Sequence, residues 1–137
     1  MKKILMCLAM ICATLAGNAQ NLRNASNSLI GKIESDGTVR NGSNSTIGKI
    51  DRDGTIRNAS NSTIGKIDSD GTIRNANNSS IGKVESNGTV RNESNSTIGK
   101  IESDGTVRNG SNSAIGSAKG VPVRYAAVFF FFDFFKK

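Results

Sequence analysis

The sequence predicts an all-β protein built from β-hairpin repeats, and three observations support this fold class. Ile-Gly recurs six times at a spacing of 17 residues without insertions. Asp-Gly-Thr or Asn-Gly-Thr recurs five times between these positions, and Arg-Asn recurs six times. The consensus unit, S-T-I-G-K-I-[DE]-S-D-G-T-[VI]-R-N-x-S-N, therefore contains two turn signals, which leave room for two short strands and not for a helix of useful length.

The residues before the repeats have the composition of a secretory signal peptide. Lys2 and Lys3 form a basic n-region, residues 4–15 an apolar h-region, and residues 16–19 a small-residue cleavage site. We expect cleavage after Ala19 and export to the periplasm, the cell surface or the medium. The apolar run is too short to cross about 30 Å of hydrocarbon at 1.5 Å per residue, so no transmembrane span is predicted.

Cysteine placement supports a mature chain without thiol chemistry. Cys7 and Cys12 both lie within the predicted signal peptide, and neither has the small residues before it that a lipoprotein cleavage site needs. We divide the chain into a signal peptide (1–19), five and a half hairpin repeats (20–116) and a C-terminal aromatic cap (117–137).

The first turn of each unit allows two loop lengths. A two-residue loop at Asp36 and Gly37 would place Ile33 opposite Arg40, whereas a three-residue loop places Ile33 opposite Val39. The longer loop also pairs two aliphatic residues in each of the other units: Ile50 with Ile56, Ile67 with Ile73, Val84 with Val90, and Ile101 with Val107. Because cross-strand apolar neighbours stabilise a hairpin, we predict the three-residue loop, with Gly37 in the left-handed conformation of a G1 bulge.

Strict strand alternation fails between Ile30 and Ile33, which a regular strand would point to opposite faces. Gly31 lies between them and is repeated in every unit, so we predict a bulge, a bend or a close backbone approach there. The second connection, Arg-Asn-x-Ser-Asn-Ser, is predicted to be a polar turn, and its Asn-x-Ser/Thr motifs are interpreted as turn residues.

A single unit is too small to fold alone. Its three aliphatic residues contribute about 1.5–3 kcal/mol each when buried. Ordering its backbone costs about 1–2 kcal/mol per residue. We therefore expect the units to share their apolar faces, in a closed array or in an open β-solenoid.

The C-terminal segment departs from the repeat. All seven aromatic residues of the chain lie between Tyr125 and Phe135, whereas the repeats have none. We predict that this segment plugs or caps the array. Pro122 suits the first position of a helix and favours a short one, although a phenylalanine run also suits a strand.

The repeat together with this tail resembles the five-fold beta-flower proteins, small exported proteins of Gram-negative bacteria. The resemblance is carried by the I-G-K-I-x-x-D-G-T-[VI]-R-N-x-x-N-S-T unit, the A-K-G-V motif at 118–121 and the A-A-V-F-F sequence that follows. It implies five hairpins closed around a pseudo-five-fold axis. It carries over no catalytic or binding residue.

Acidic turn residues resemble the start of a calcium loop, as in Asp51-Arg52-Asp53-Gly54. A complete calcium site needs six to eight oxygens, including a later bidentate acid, and here Thr, Ile and Arg follow instead. We therefore predict no metal site and interpret these aspartates as turn residues that accept backbone hydrogen bonds.

Two ladders of basic residues repeat with the unit and are the candidate binding residues. They are Arg40, Arg57, Arg74, Arg91 and Arg108, and Lys32, Lys49, Lys66, Lys83 and Lys100. In the predicted register both ladders share one face, which would suit anionic polysaccharides or other polyanions through multivalency. The alternative interpretation is a solvated face whose charges are balanced by the neighbouring acids.

Catalysis has little support in this sequence. There is no histidine, the mature chain has no cysteine, and the repeats scarcely break their own symmetry. We predict no enzymatic activity, no cofactor and no nucleic-acid partner, because the repeats offer no aromatic platforms. The expected function is a structural or interaction module of the bacterial envelope; the alternative is a multivalent binder of anionic glycans or other polyanions. The sequence does not identify the partner, and an anionic polysaccharide and an envelope protein are the two candidates.

Overall fold

A computed structural model describes residues 20–135. The predicted signal peptide and its cleavage site lie outside this range, so the division of the chain at residue 19 stays a prediction. The described residues form twelve strands followed by one helix. The strands are β1 (Gln20–Asn24), β2 (Leu29–Ile33), β3 (Thr38–Asn41), β4 (Thr46–Ile50), β5 (Thr55–Asn58), β6 (Thr63–Ile67), β7 (Thr72–Asn75), β8 (Ser80–Val84), β9 (Thr89–Asn92), β10 (Thr97–Ile101), β11 (Thr106–Asn109) and β12 (Ala114–Ser117), and the helix is α1 (Val123–Phe131).

The twelve strands form one closed antiparallel barrel. Each strand pairs with its neighbours in the sequence, and β1 pairs with β12 to close the ring. The predicted all-β class and the closed array of hairpins are confirmed, and the open β-solenoid is excluded because the first and last strands pair with each other.

The predicted hairpin register is confirmed. Ile33 lies opposite Val39 and Lys32 lies opposite Arg40, and the other units repeat the same pairing. Gly37 has a φ of 94°, a conformation that glycine adopts without steric cost. The Gly37 N–H donates to the Glu34 carbonyl at 2.9 Å, which closes the turn.

The irregularity predicted at the Ile-Gly dipeptide is a β-bulge. Between β3 and β4, Val39 pairs with Gly48 while Arg40 pairs with Thr46, so Ile47 is the extra residue. The corresponding register shifts recur between the other hairpins. The bulge lets both Ile47 and Ile50 reach the core although they lie three residues apart.

The pair formed by β12 and β1 has the register of a repeat hairpin whose turn is cut open. Gly116 pairs with Asn24 and Ser117 pairs with Arg23, as Gly31 pairs with Asn41 and Lys32 with Arg40 in the first hairpin. The half repeat at the end of the array is therefore completed by the strand at its beginning. The ring consists of five intact hairpins and this closing pair.

The barrel interior contains the core. Two aliphatic residues of each intact hairpin are almost fully buried, and Leu22 takes this position in the closing pair. The helix brings Ala126, Ala127, Val128 and Phe129 into the same cluster, each with 0% exposure. The aromatic segment is thus a plug that fills the barrel, and the predicted short helix is confirmed. Pro122, predicted to be the first helical residue, is the N-cap, so the helix begins one residue later than predicted, at Val123.

Candidate functional site: a plugged barrel with a charged outer face

The most regular contact in the molecule is between the phenylalanines of the tail and the glycines of the Ile-Gly dipeptides. The ring of Phe129 lies so close to Gly31 that a Cβ at Gly31 would come within 2.6 Å of a ring atom. All six phenylalanines make such a contact, each with a different glycine: Phe129 with Gly31, Phe130 with Gly116, Phe131 with Gly99, Phe132 with Gly82, Phe134 with Gly65, and Phe135 with Gly48. The repeated glycine therefore has two roles, since it sits at the bulge and leaves room for a ring.

These contacts follow the order of the strands around the barrel. Phe129 meets β2, Phe130 meets β12 and Phe131 meets β10, and the next three phenylalanines continue to β8, β6 and β4. The tail thus makes one circuit of the interior and contacts every second strand once. Asp133 interrupts the run and is exposed.

Burial of the rings differs around this circuit. Phe129 and Phe135 are 0% and 2% exposed, and Phe132 is 7% exposed. Phe130, Phe131 and Phe134 are partly exposed. Packed side chains therefore occupy the barrel axis, and the repeated surface left to a partner is the outer face.

The five predicted arginines all lie on that outer face and each forms an ion pair. The Arg40 Nε donates to Glu34 Oε2 at 2.8 Å, and Arg57 does the same to Asp51 Oδ2 at 2.9 Å. The pairs Arg74–Asp68, Arg91–Glu85 and Arg108–Glu102 repeat this contact. The Arg40 Nη1 also donates to the carbonyl of Asn44 and to Thr46 Oγ1. The arginine ladder is thus engaged in holding neighbouring turns.

The five predicted lysines lie beside the arginines but differ from them in their charge partners. Lys32 is directly opposite Arg40, and Lys49 is directly opposite Arg57. Within residues 20–135, no carboxylate lies at ion-pair distance from any lysine of the ladder. The lysines occupy alternate strands, so adjacent members are about 10 Å apart for strands spaced at about 4.8 Å. The structure brings both ladders onto one face, and their binding role stays a prediction.

The turn aspartates accept hydrogen bonds from the residue two positions later. Asp36 Oδ1 accepts the Thr38 N–H at 2.9 Å, and Asp53, Asp70 and Asp104 make the same contact. This bond and one from the threonine hydroxyl hold the pKa of Asp36 below its ordinary value. At the fourth turn the neutral Asn87 accepts the same bond from Thr89 at 3.0 Å. In the described part of the chain, no three acidic side chains come together as a metal site would require.

The second loop of each unit is fixed by its two asparagines. Asn41 Oδ1 accepts the backbone N–H groups of Ser43 and Ser45 at 2.9 and 3.0 Å. Asn44 has a φ of 69°, in the left-handed region that asparagine tolerates better than most residues. The motif predicted to be a polar turn is therefore a turn in every unit, and its Asn-x-Ser/Thr pattern has a structural cause.

Two features of the barrel, one in its interior and one on its surface, were not predicted from the sequence. One is the pairing of each phenylalanine with one glycine, which equal counts of six could have suggested. The other is a cleft of about 630 Å³ at the closing pair, lined by Arg23, Ser117 and Lys119 among others. Its signal was the change in the sixth unit, where Lys119 takes the position of Glu34.

Comparison with known proteins assigns the chain to a family. The family model described as 5-fold beta-flower protein matches residues 19–135, nearly the whole chain. The chain therefore belongs to the five-fold beta-flower family, as the resemblance of its repeat and tail predicted. Neither the curated proteins nor the solved structures gave a match. The family is a repeat fold, and its description gives no biochemical role.

The helical part of the described chain is short. The one helix among residues 20–135, α1, has nine residues, and no helix in that range is long and apolar enough to cross a bilayer.

Proposed function

We propose that the protein is an exported, non-enzymatic interaction module that presents the repeated outer face of a plugged barrel. The observation that carries this proposal is the circuit of six phenylalanines in the barrel interior. Because the interior is packed, a partner meets the outside of the barrel, where one polar pattern recurs in every hairpin. The predicted signal peptide supports export.

Rigidity of the outer face supports the same function. Each Arg–acid pair joins a turn to the neighbouring strand, and the guanidinium also reaches the next loop. A surface held in this way loses little conformational entropy on binding, and repetition lets weak contacts add up.

A second candidate function is the binding of a polyanion through the lysine ladder. It is favoured by one observation, which is that the arginines are paired with acids while Lys32, Lys49, Lys66, Lys83 and Lys100 have no such partner within the described residues. A linear polyanion running around the barrel would cross a strand with a ladder lysine about every 10 Å of backbone spacing.

Co-sedimentation with isolated bacterial envelopes tests both functions. The purified protein is mixed with envelopes at low and high salt, before and after protease treatment of the envelopes. Binding that protease abolishes supports an envelope-protein partner. Binding that survives protease and is lost at high salt supports a polyanion, because screening weakens contacts between exposed charges. If the protein does not sediment with the envelopes under any of these conditions, the envelope role is overturned.

Matched variants separate the lysine ladder from general charge. Lys49→Gln, Lys66→Gln and Lys83→Gln in one chain should abolish polyanion binding. Replacement of the same three lysines by arginine keeps the charge and should retain polyanion binding. Arg52→Gln removes a charge from an exposed turn outside the ladder and should have little effect. Equal binding by the glutamine and arginine variants would contradict the lysine assignment.

A further inference from the structure

The closing pair differs from the five hairpins in its charges. In each hairpin an acid two residues after the ladder lysine pairs with the arginine of the next strand, as Glu34 does with Arg40. In the closing pair the ladder lysine is replaced by Ser117, and the acid is replaced by Lys119. Arg23 occupies the position of Arg40, opposite Ser117.

The charge environment of Arg23 consequently differs from that of the other ladder arginines. Its Nη1 donates to the Asn27 carbonyl at 3.1 Å, as the other arginines do to their loops, but no carboxylate within residues 20–135 lies at ion-pair distance from it. Where every hairpin has a cation facing an anion, the closing pair has two cations at corresponding positions.

The cut turn also opens a space beside these two side chains. A cleft of about 630 Å³ is lined by Gln20, Asn21, Arg23, Asn27, Ser117, Lys119 and Gly120. These lining residues include no acid; besides the two cations they are neutral polar residues and one glycine. The chain supplies hydrogen-bond donors and positive charge around one cleft, which is the chemistry that binds oxyanions.

We propose that this cleft is a binding site for an anionic group, a sulfate, phosphate or carboxylate, held between Arg23 and Lys119. The guanidinium offers two parallel N–H donors and the ammonium a third, so that the anion replaces the missing carboxylate of the sixth unit. The site is single in the ring, unlike the ladders, and it does not depend on the function proposed above.

Titration with inorganic sulfate, followed by NMR of backbone amides, tests this proposal. Chloride at equal ionic strength serves as the reference. We expect saturable shifts at Asn21, Arg23, Ser117 and Lys119 that chloride does not produce. Absence of saturation, or equal shifts in all five hairpins, would overturn the site.

The variant Lys119→Glu restores the charge pattern of the other units and is the decisive comparison. It should form an ion pair with Arg23, keep or raise the thermal midpoint, and weaken sulfate binding at least about tenfold. Arg52→Gln removes one charge from an exposed turn outside the cleft and should leave sulfate binding at the cleft unchanged. Undiminished sulfate binding by a Lys119→Glu protein whose thermal midpoint shows that the fold is retained would refute the proposal.

Discussion

The contact between Gly31 and Phe129 predicts an energetic coupling that can be measured directly. A Cβ at Gly31 would lie 2.6 Å from a ring atom of Phe129 and 2.9 Å from the carbonyl oxygen of Arg40. Both distances are shorter than a real Cβ tolerates, so Gly31→Ala forces the ring and the strand to move. Overpacking of this kind costs about 1–3 kcal/mol.

Removal of the ring should relieve the part of that cost that comes from the contact with Phe129. Phe129 is 0% exposed, and Phe129→Ala alone should cost about 3–5 kcal/mol through lost burial and the cavity left behind. In the double variant the contact of the new methyl group with the ring is gone, and its close contact with the Arg40 carbonyl oxygen at 2.9 Å remains. We expect the double variant to be more stable than the sum of the single effects by about 1–2 kcal/mol, within the range for residues in contact.

Guanidinium unfolding provides the assay, and Tyr125 provides a specific reporter. The chain has one tyrosine and no tryptophan, and that tyrosine is in the helix of the plug. Its fluorescence follows the plug while far-ultraviolet circular dichroism follows the barrel. If Phe129→Ala leaves too little stability to measure, Phe129→Leu replaces it in the cycle, since a leucine retains part of the burial.

Gly110→Ala is the matched control. Gly110 lies at a loop position where other units have Ala59 or Ala76, and the nearest heavy atom to its Cβ would be 3.3 Å away. This substitution should change the free energy of unfolding by less than about 0.5 kcal/mol. If the destabilisation of the double variant equals the sum of the two single destabilisations within about 0.5 kcal/mol, the proposed packing of Gly31 against Phe129 is refuted.

Three further predictions follow from the repeats. Deletion of residues 56–72, one complete period of 17, should destabilise the barrel by about 3–5 kcal/mol in guanidinium unfolding, because one phenylalanine loses its glycine. The lowered pKa of Asp53 contributes stability that is present above the unfolded value near 3.8 and is lost as the pH falls through the folded value. Asp53→Asn, which copies Asn87, should therefore flatten the acid limb of a stability–pH profile and leave neutral stability nearly unchanged. Asn58→Ala should lower the thermal midpoint by removing the acceptor of two backbone N–H groups, at a cost of about 1–3 kcal/mol. Ala59→Gly, at the variable position of the same loop, should leave the thermal midpoint nearly unchanged.

Local features of this fold were readable from the sequence because each depends on neighbouring residues. The three-residue loop followed from the pairing of Ile33 with Val39, and the bulge followed from the spacing of Ile30 and Ile33 around a glycine. Turn chemistry explained the asparagines and aspartates in the same way. These predictions required only the geometry of one hairpin and the periodicity of its copies.

The position of the tail was harder to predict because it depends on contacts between distant residues. The sequence shows six phenylalanines and six Ile-Gly dipeptides, but it does not show that successive rings meet strands in descending order around the barrel. The sequence also left open whether the basic ladders bind a partner or are balanced by neighbouring acids. The ion pairs explain Arg40 and its equivalents structurally, whereas within residues 20–135 the ladder lysines have no carboxylate at ion-pair distance and only longer-range attraction to turn aspartates, as between Lys49 and Asp36.

Closure of the ring determines which part of the barrel departs from the repeated sequence. When the first strand of a chain pairs with the last, the two strands form a hairpin that has no connecting turn. The segments at that end of the two strands therefore need not have the turn sequence of the other units. Strand β1 begins at Gln20 on one side of that cut, and on the other side the chain runs from β12 through Lys119 to the plug. In the five intact turns an acid pairs with the arginine of the next strand. At the cut turn the corresponding position is Lys119, so the sequence places a cation there. The closing pair is therefore the position at which a symmetric barrel acquires one distinct site.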